Sequence, residues 1–194
     1  MNRTLDIMSL GSRSGEAPEA EIDLIRSIAE GDLAAFERLH QRYYTRLMGF
    51  ALRMTQRHDA AEEIASDTLM AVWRGAGNFR GESKASTWIF GIAYRQAMKL
   101  LSRRKPLDMA AEIDEELPAP TTGEEEVEML FQRHTLSNAL AQLPLEQRAT
   151  VQLTYVYGYR LSEIAAITGC PEGTVKSRMF HARNRLRALL GGAS

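Results

Sequence analysis

The sequence of 194 residues contains a single cysteine, Cys170. One cysteine cannot form an internal disulfide, and such a sequence is typical of a reducing compartment such as the cytoplasm. CxxC and HxxxH pairs are missing, and the four histidines are scattered along the chain. We therefore expect neither a metal site nor a cofactor. The sequence also lacks a recognisable pairing of nucleophile and base, so we expect no enzymatic activity.

Long apolar runs are missing as well. The longest runs are a few residues, whereas a helix that crosses a bilayer needs about 20. The first 15 residues, MNRTLDIMSLGSRSG, contain no continuous apolar stretch of the kind found in secretory signals. The sequence therefore predicts a cytoplasmic protein without a membrane segment of its own.

The net charge is only −1, but the charges are strongly segregated along the chain. Residues 80–105 contain seven basic side chains and one acid, and residues 171–194 contain five basic side chains and one acid. Residues 106–128, between them, contain nine acids and no base. Either basic segment alone could be an ordinary solvated helix face. Together they favour a nucleic acid that is bound at two places.

No segment shows the alternating pattern of a β-strand, whereas apolar residues recur at the three- and four-residue steps of helices. Residues 1–19 lack any periodicity and are predicted to be a flexible tail. Residues 106–126 combine three prolines with dense acid, which is typical of a linker. We therefore predict an all-α protein with two small helical domains, 20–105 and 127–194, joined by an acidic flexible linker.

Local signals predict several helix ends. Gly31 and Asp32 are expected to end the first helix and cap the second. Asp59 and Glu62 have the spacing of a capping box that opens the third helix. The apolar stripe of the first helix is predicted to begin at Ile22, and that of the second helix at Leu33.

The strongest motif lies in residues 161–190, LSEIAAITGCPEGTVKSRMFHARNRLRALL. Gly169 suits the left-handed position after a helix, and Pro171 suits the first turn of the next one. Gly173 is expected to allow a close approach of two helices. The last helix has an apolar stripe that starts at Val175 and Met179, and its opposite face is basic and aromatic. A helix-turn-helix whose second helix enters a DNA major groove fits this pattern better than a plain helical hairpin.

This motif, EIAAITGCPEGTVKSRMFHARNRL, resembles region 4 of the extracytoplasmic-function (ECF) sigma factors, the RpoE-like group of the sigma-70 family. In that family the second helix of the motif reads the −35 promoter element. The resemblance implies this role for the following residues: Lys176, Ser177, Arg178, Phe180 and His181. Family members commonly have arginine where His181 stands, and imidazole cannot make the two-donor contact of arginine to guanine. The resemblance therefore implies an altered base preference at that point.

Residues 61–106, AEEIASDTLMAVWRGAGNFRGESKASTWIFGIAYRQAMKLLSRRKP, resemble region 2 of the same family. The resemblance implies that the acidic helix binds a coiled coil on the β′ subunit of RNA polymerase through Glu63, Ser66, Asp67 and Trp73. It also implies that the next loop and helix read the −10 element. The candidates for this reading are Arg80, Ser83 and Lys84 in the loop and Arg95, Gln96 and Lys99 on the helix. Candidates for phosphate contacts are Arg103, Arg104 and Lys105.

The two resemblances together imply an alternative sigma factor that binds the β′ and β subunits of core RNA polymerase and promoter DNA. They also imply a stress response and control by an anti-sigma factor. One alternative is a helix-turn-helix regulator of the response-regulator type, which would require an α/β receiver in the N-terminal half. Another is an interaction module that binds polymerase without reading DNA. Cys170 is interpreted as a small structural residue of the turn rather than a redox sensor.

Overall fold

The structure, a computed structural model, describes residues 20–103 and 135–191. Within these two ranges every regular element is a helix, which confirms the predicted all-α class. The predicted tail (1–19), the predicted linker (106–126) and two phosphate-contact candidates, Arg104 and Lys105, lie outside the described residues.

The N-terminal half comprises α1 (Glu21–Ala29), α2 (Leu33–Thr55), α3 (His58–Gly75), a 3-10 turn (Ala76–Asn78) and α4 (Ala85–Arg103). In the C-terminal half residues 135–141 are helical and are called α5. They are followed by α6 (Leu145–Tyr155), α7 (Leu161–Thr168) and α8 (Glu172–Gly191).

The helix ends agree with the sequence signals at most points. The Asp32 carboxylate accepts hydrogen bonds from the backbone amides of Ala34 and Ala35 at 2.8 and 3.1 Å, so it caps α2 as predicted. Gly169 has a φ of 68° and closes α7 in the predicted left-handed conformation.

Other local predictions were wrong. Asp59 does not open α3, because the helix starts one residue earlier and the Asp59 carboxylate pairs with the Arg57 guanidinium. A β-carbon at Gly173 would meet no atom within 4 Å, so no close helix approach depends on this glycine. Ile22 and Leu33 are 36% and 60% exposed, since the buried stripes of their helices begin at Leu24 and Ala35.

The N-terminal half has a core built on α2. This helix packs against α1, α3 and α4, and its buried face includes Leu39, Tyr43, Leu47 and Phe50. The Phe50 ring meets the Phe90 ring of α4 edge to face, with 5.7 Å between centroids. Burial of such large rings supplies most of the driving force for this packing.

The apolar core continues from α4 into the C-terminal half. Tyr157 and Tyr159, in the turn after α6, place their rings 4.8 and 5.5 Å from the Phe90 ring. The Tyr157 hydroxyl accepts a hydrogen bond from the Arg53 guanidinium at 2.7 Å and donates one to the Arg46 carbonyl at 2.9 Å. The two halves therefore share one hydrophobic core in this arrangement.

Helices α4 and α7 form the main backbone contact between the halves. They approach so closely at Gly91 that a β-carbon there would lie 3.7 Å from the Ile167 carbonyl oxygen. Ile164 and Ile167 of α7 are buried in the shared core. A β-carbon at position 91 would therefore be in ordinary van der Waals contact with α7, whereas a bulky side chain there would push α7 away from α4.

Arg148 connects helix ends from both halves. It is 3% exposed, and its guanidinium donates to the Leu140, Ala141 and Leu143 carbonyls near the end of α5 and to the Met54 carbonyl in the last turn of α2. The last carbonyls of a helix have no partner within the helix and carry partial negative charge. One buried cation thus satisfies the ends of two helices.

Candidate nucleic-acid and polymerase interface

Acidic and basic candidates line a common groove between α3 and α4. Glu63 and Asp67 of α3 are exposed on one wall, and Gln96, Lys99 and Arg103 of α4 form the other. Residues four positions apart on a helix lie on the same face, which explains why Glu63 and Asp67 occur together here. The structure thus brings together residues that the sequence assigned separately to polymerase and to the −10 element.

The same groove continues toward the end of α3. Asp67 and Gln96 also line this continuation, with Met70 and Arg74 as further members. Met70 is 45% exposed although it is apolar. Sequence reasoning missed Met70 and Arg74, yet the steps of three and four residues from Asp67 would have indicated them.

Two α3 candidates do not line the groove. The Trp73 indole is half-buried and packs edge to face on the Phe36 ring of α2, with 5.2 Å between centroids. Ser66 is exposed, but it does not line either part of the groove. The arrangement therefore favours Glu63 and Asp67 over Trp73 and Ser66 as surface contacts.

The predicted −10 loop is solvent-accessible at its tip. The Arg80 side chain is 83% exposed and lies 3.9 Å from the Glu82 carboxylate, and the Ser83 hydroxyl donates weakly to the Lys84 carbonyl at 3.4 Å. Behind the loop the Phe79 and Trp88 rings pack with 5.1 Å between centroids. Trp88 is half-buried, so its ring mainly packs behind the loop and supports it.

Lys84 connects the predicted −10 loop to the helix-turn-helix. Its ammonium group lies 2.7 Å from the carboxylate of Glu163 in α7. Hydrogen bonds from Lys84 and from the Arg160 backbone amide, the latter at 2.8 Å, hold the pKa of Glu163 below its usual value. In this arrangement Lys84 is therefore paired with the other half of the protein.

The remaining −10 candidates and the phosphate candidate Arg103 lie on α4, where Gln96, Lys99 and Arg103 also line the groove. Arg95, Lys99 and Arg103 are exposed, and Gln96 is half-buried. The opposite face of the helix is buried in the core through Phe90, Ala93 and Ala97. Helix α4 thus presents a basic strip opposite its buried face.

Helix α8 presents most of the −35 candidates to solvent. Lys176, Ser177, Phe180 and His181 are exposed, whereas Val175, Met179 and Ala182 are buried against the rest of the half. The Phe180 ring is 62% exposed and lies 5.5 Å from the His181 ring. A helix with one packed face and one exposed basic and aromatic face is suited to lie in a major groove.

Arg178 is the −35 candidate that the structure separates from the others. It is half-buried, and its guanidinium lies 3.4 Å from the Cys170 sulfur. Burial raises the pKa of Tyr94 on α4, and the nearby charge of Arg178 opposes that rise. Arg178 thus faces α4 and the turn rather than the exposed face of α8. The Cys170 thiol is half-buried and also contacts the Thr168 hydroxyl at 3.2 Å.

No group of three or more metal-ligating side chains occurs in residues 20–103 and 135–191. Among the helices in the described part of the chain, none is both long and apolar enough to cross a membrane.

Comparison with known proteins gives two matching family models. The model described as "Sigma-70 region 2" matches residues 39–106, and the model described as "Sigma-70, region 4" matches residues 133–186. The first match includes the α3/α4 groove and the predicted −10 loop, and the second includes the exposed face of α8.

Relatives match over nearly the whole length. The ECF RNA polymerase sigma factor SigM of Mycobacterium tuberculosis is 33% identical over 177 residues, covering 91% of this chain and 88% of the relative. The RNA polymerase sigma-H factor of Pseudomonas aeruginosa is 30% identical over 183 residues, covering 87% of this chain and 92% of the relative.

Two solved structures are similar in fold. The sigma factor RpoE in complex with the anti-sigma factor NepR, from Bartonella quintana, is 28% identical with a TM-score of 0.64, covering 82% of this chain and 98% of that one. CnrH in complex with the cytosolic domain of CnrY has a TM-score of 0.69, covering 91% of this chain and 100% of that one. The latter is 23% identical and supports the fold alone.

Proposed function

The chain belongs to the ECF sigma factors of the sigma-70 family, and from this premise we propose that residues 20–105 act as its region 2 and residues 127–194 as its region 4. An alternative sigma factor binds core RNA polymerase and directs transcription initiation at particular promoters. The observation that carries the residue-level proposal is that one basic and aromatic face of α8 is exposed, as are the acids Glu63 and Asp67 on the α3 wall of the groove. Run-off transcription with purified core on a promoter library tests it.

The α3 wall of the α3/α4 groove is the proposed polymerase-binding surface, since the α4 wall is assigned to DNA. The α3 wall carries the carboxylates of Glu63 and Asp67, and the apolar Met70 lies beside them. Exposed acids next to an exposed apolar side chain suit a partner surface that is basic with an apolar centre. We assign this partner surface to the β′ subunit.

Replacing Asp67 by lysine is expected to weaken core binding by about tenfold or more, because the reversed charge would repel a basic partner. The fold should be kept, since Asp67 is exposed. The measurement is the affinity of core polymerase for the full-length chain, together with its helicity. The matched control is Glu62→Lys, which reverses an exposed charge on the same helix outside the groove. Equal effects of the two changes would remove Asp67 from the interface.

The −10 element is assigned to the loop and to the outer face of α4. Arg80, Ser83 and Lys84 are the proposed loop contacts, and Arg95, Gln96 and Lys99 are the proposed contacts on the helix. Arg103, with Arg104 and Lys105, is assigned to phosphates, which contribute affinity without sequence information. The ammonium group of Lys84 has three donors, so it can contact DNA either beside its ion pair with Glu163 or after leaving it.

The −35 element is assigned to Lys176, Ser177, Phe180 and His181 on α8. Their exposure supports this assignment, and their position in the N-terminal half of the helix is where groove-bound helices meet base edges. Arg178 remains a candidate only for an arrangement in which it has left Cys170 and Tyr94.

Replacing His181 by arginine is expected to change the selected −35 sequence, because the guanidinium adds a rigid pair of donors for guanine. Such a contact discriminates between bases by about 1–3 kcal/mol. The measurement is selection from a −35 library with the holoenzyme. The control is Arg187→Ala, which should weaken all sequences alike. If His181→Arg selects the same sequence as the original chain, His181 does not face a base.

Control by an anti-sigma factor in a stress response completes the proposal. It is supported by the similarity to RpoE, whose structure is a complex with the anti-sigma factor NepR. The chain is proposed to act in the cytoplasm, and no catalytic step is assigned to it. The response-regulator alternative is not favoured, since it requires an α/β receiver and the regular elements within residues 20–103 are helical.

A further inference from the structure

Tyr155 is an exposed aromatic residue that the shared core does not explain. It is the last residue of α6, it is 60% exposed, and it belongs to neither apolar cluster. Tyr157 and Tyr159, a few positions later, are packed against Phe90 instead. The side chain of Tyr155 has a different partner, on α8.

That partner is Arg183. The Tyr155 hydroxyl oxygen accepts hydrogen bonds from two nitrogens of the Arg183 guanidinium, Nε at 3.0 Å and Nη2 at 2.6 Å. The same guanidinium lies over the tyrosine ring, 5.8 Å from its centroid. Two hydrogen bonds and a ring contact hold a long side chain that would otherwise sample many rotamers in solvent.

The charge of Arg183 is held in place without being neutralised. A phenol hydroxyl is a neutral acceptor, whereas the usual surface partner of arginine is a carboxylate. No carboxylate lies within ion-pair distance of Arg183 among the residues for which the structure gives positions. Nη1 of Arg183 makes no hydrogen bond to them either. A fixed cation with unused donors is suited to bind an anion.

The position of Arg183 on α8 indicates which anion. Lys176, Phe180, Arg183 and Arg187 follow one another at steps of four, three and four residues, so they form one strip along the helix. Arg183 lies seven residues after Lys176, about 10 Å along the axis. The major groove is about 12 Å wide, so a side chain that far from the base-reading end reaches the groove wall, which consists of phosphates.

We infer that Arg183 binds a backbone phosphate beside the −35 element and that Tyr155 is the positioning residue that holds it there. The inference rests on the proposed −35 role of α8. A purely structural tie between α6 and α8 is the competing explanation. The two helices are, however, already joined by the apolar cluster of Leu143, Val151, Met179 and Ala182, which needs no surface hydrogen bond to hold it.

The experiment is promoter binding by the holoenzyme at several salt concentrations, with the full-length chain carrying Tyr155→Phe, Arg183→Gln or both. Tyr155→Phe keeps the ring and removes only the hydroxyl. Arg183→Gln should reduce the slope of log affinity against log salt by about 0.9, which corresponds to one phosphate contact. Tyr155→Phe should weaken binding to all sequences alike, by roughly threefold to tenfold.

The double variant tests whether the effect of Tyr155 depends on Arg183, and the salt slope of Arg183→Gln separates a phosphate contact from a structural tie. If Tyr155 acts through Arg183, Tyr155→Phe has no further effect in the Arg183→Gln background. By contrast, Tyr155→Phe should lower promoter affinity by its full amount in the matched background Arg187→Gln, which removes a different cation from the same strip. A loss that persists in the Arg183→Gln background overturns the positioning role. An unchanged salt slope for Arg183→Gln overturns the phosphate contact.

Two measurements separate this inference from the proposed function. Core binding by each variant must equal that of the original chain, so that promoter affinity reports on DNA alone. If the original holoenzyme shows no preference for any −35 sequence, the proposed function of α8 fails. If the original holoenzyme does show a −35 preference, but the losses of promoter affinity from Tyr155→Phe and Arg183→Gln add up in the double variant, only the inference about Tyr155 fails.

Discussion

Replacing Phe90 by alanine is expected to lower the free energy of unfolding by about 3–5 kcal/mol. The ring is fully buried, and it touches the rings of Phe50, Tyr157 and Tyr159 at centroid distances of 5.7, 4.8 and 5.5 Å. Its removal leaves a cavity between the two halves, lined by the rings of Phe50, Tyr157 and Tyr159. The measurement is urea unfolding of the full-length chain.

Phe180→Ala is the matched control for this change. It makes the same substitution on a ring that is 62% exposed on α8, so its effect on stability should stay within about 0.5 kcal/mol. Amide exchange supplies a second readout, because the α7 amides should exchange faster in Phe90→Ala as α7 loosens from α4. Equal stability of the two variants would contradict the shared core.

Replacing Arg148 by methionine is the second change with a large expected effect, about 3–5 kcal/mol of stability. Methionine fills a similar volume but provides no donor. The carbonyls of Leu140, Ala141, Leu143 and Met54 then lose the guanidinium, while those of the buried residues Leu143 and Met54 stay in the interior. Each unsatisfied buried acceptor is costly, and two helix ends lose their compensating charge together.

Arg185→Met is the control for that experiment, since it removes an exposed arginine from α8 and should change stability very little. Both variants are compared by urea unfolding. Burial lowers the pKa of Arg148, yet the ordinary pKa of a guanidinium is so high that the side chain stays charged near neutral pH. If Arg148→Met is as stable as the Arg185→Met control, the four carbonyls are satisfied in another way.

Helix-capping and helix-terminating residues in the sequence predicted the ends of several helices correctly. Helix α7 ends at Thr168, directly before Gly169 as predicted, because Gly169 can adopt a positive φ and Pro171 suits the start of the next helix. Asp59 misled the prediction for α3, since an acid near a helix start can pair with a neighbouring arginine instead of capping the backbone. Whether such an acid caps the helix or pairs with an arginine depends on the local three-dimensional arrangement, which cannot be read from residue spacing alone.

Contacts between the halves could not be predicted from the sequence. Tyr157 and Tyr159 lie in a turn, where no periodicity indicates a buried face, and Gly91 is one of many glycines. A buried arginine such as Arg148 contradicts the usual exposure of its residue type. For the candidate site, the four-residue spacing of Glu63 and Asp67 is enough to account for their common face, but the inward direction of Arg178 depends on α4, which is distant in sequence.

The shared core has a consequence for the synthesis of the protein. Phe90 precedes Tyr157 and Tyr159 by about 70 positions in the chain. A ribosome that adds about 5–20 residues per second needs roughly 4–14 seconds to make that stretch. During those seconds the aromatic side of α4 has no cover from the C-terminal half. A nascent chain with an uncovered aromatic surface is open to aggregation, and chaperones bind such surfaces. Slow translation of the acidic segment after α4 would lengthen this exposed period.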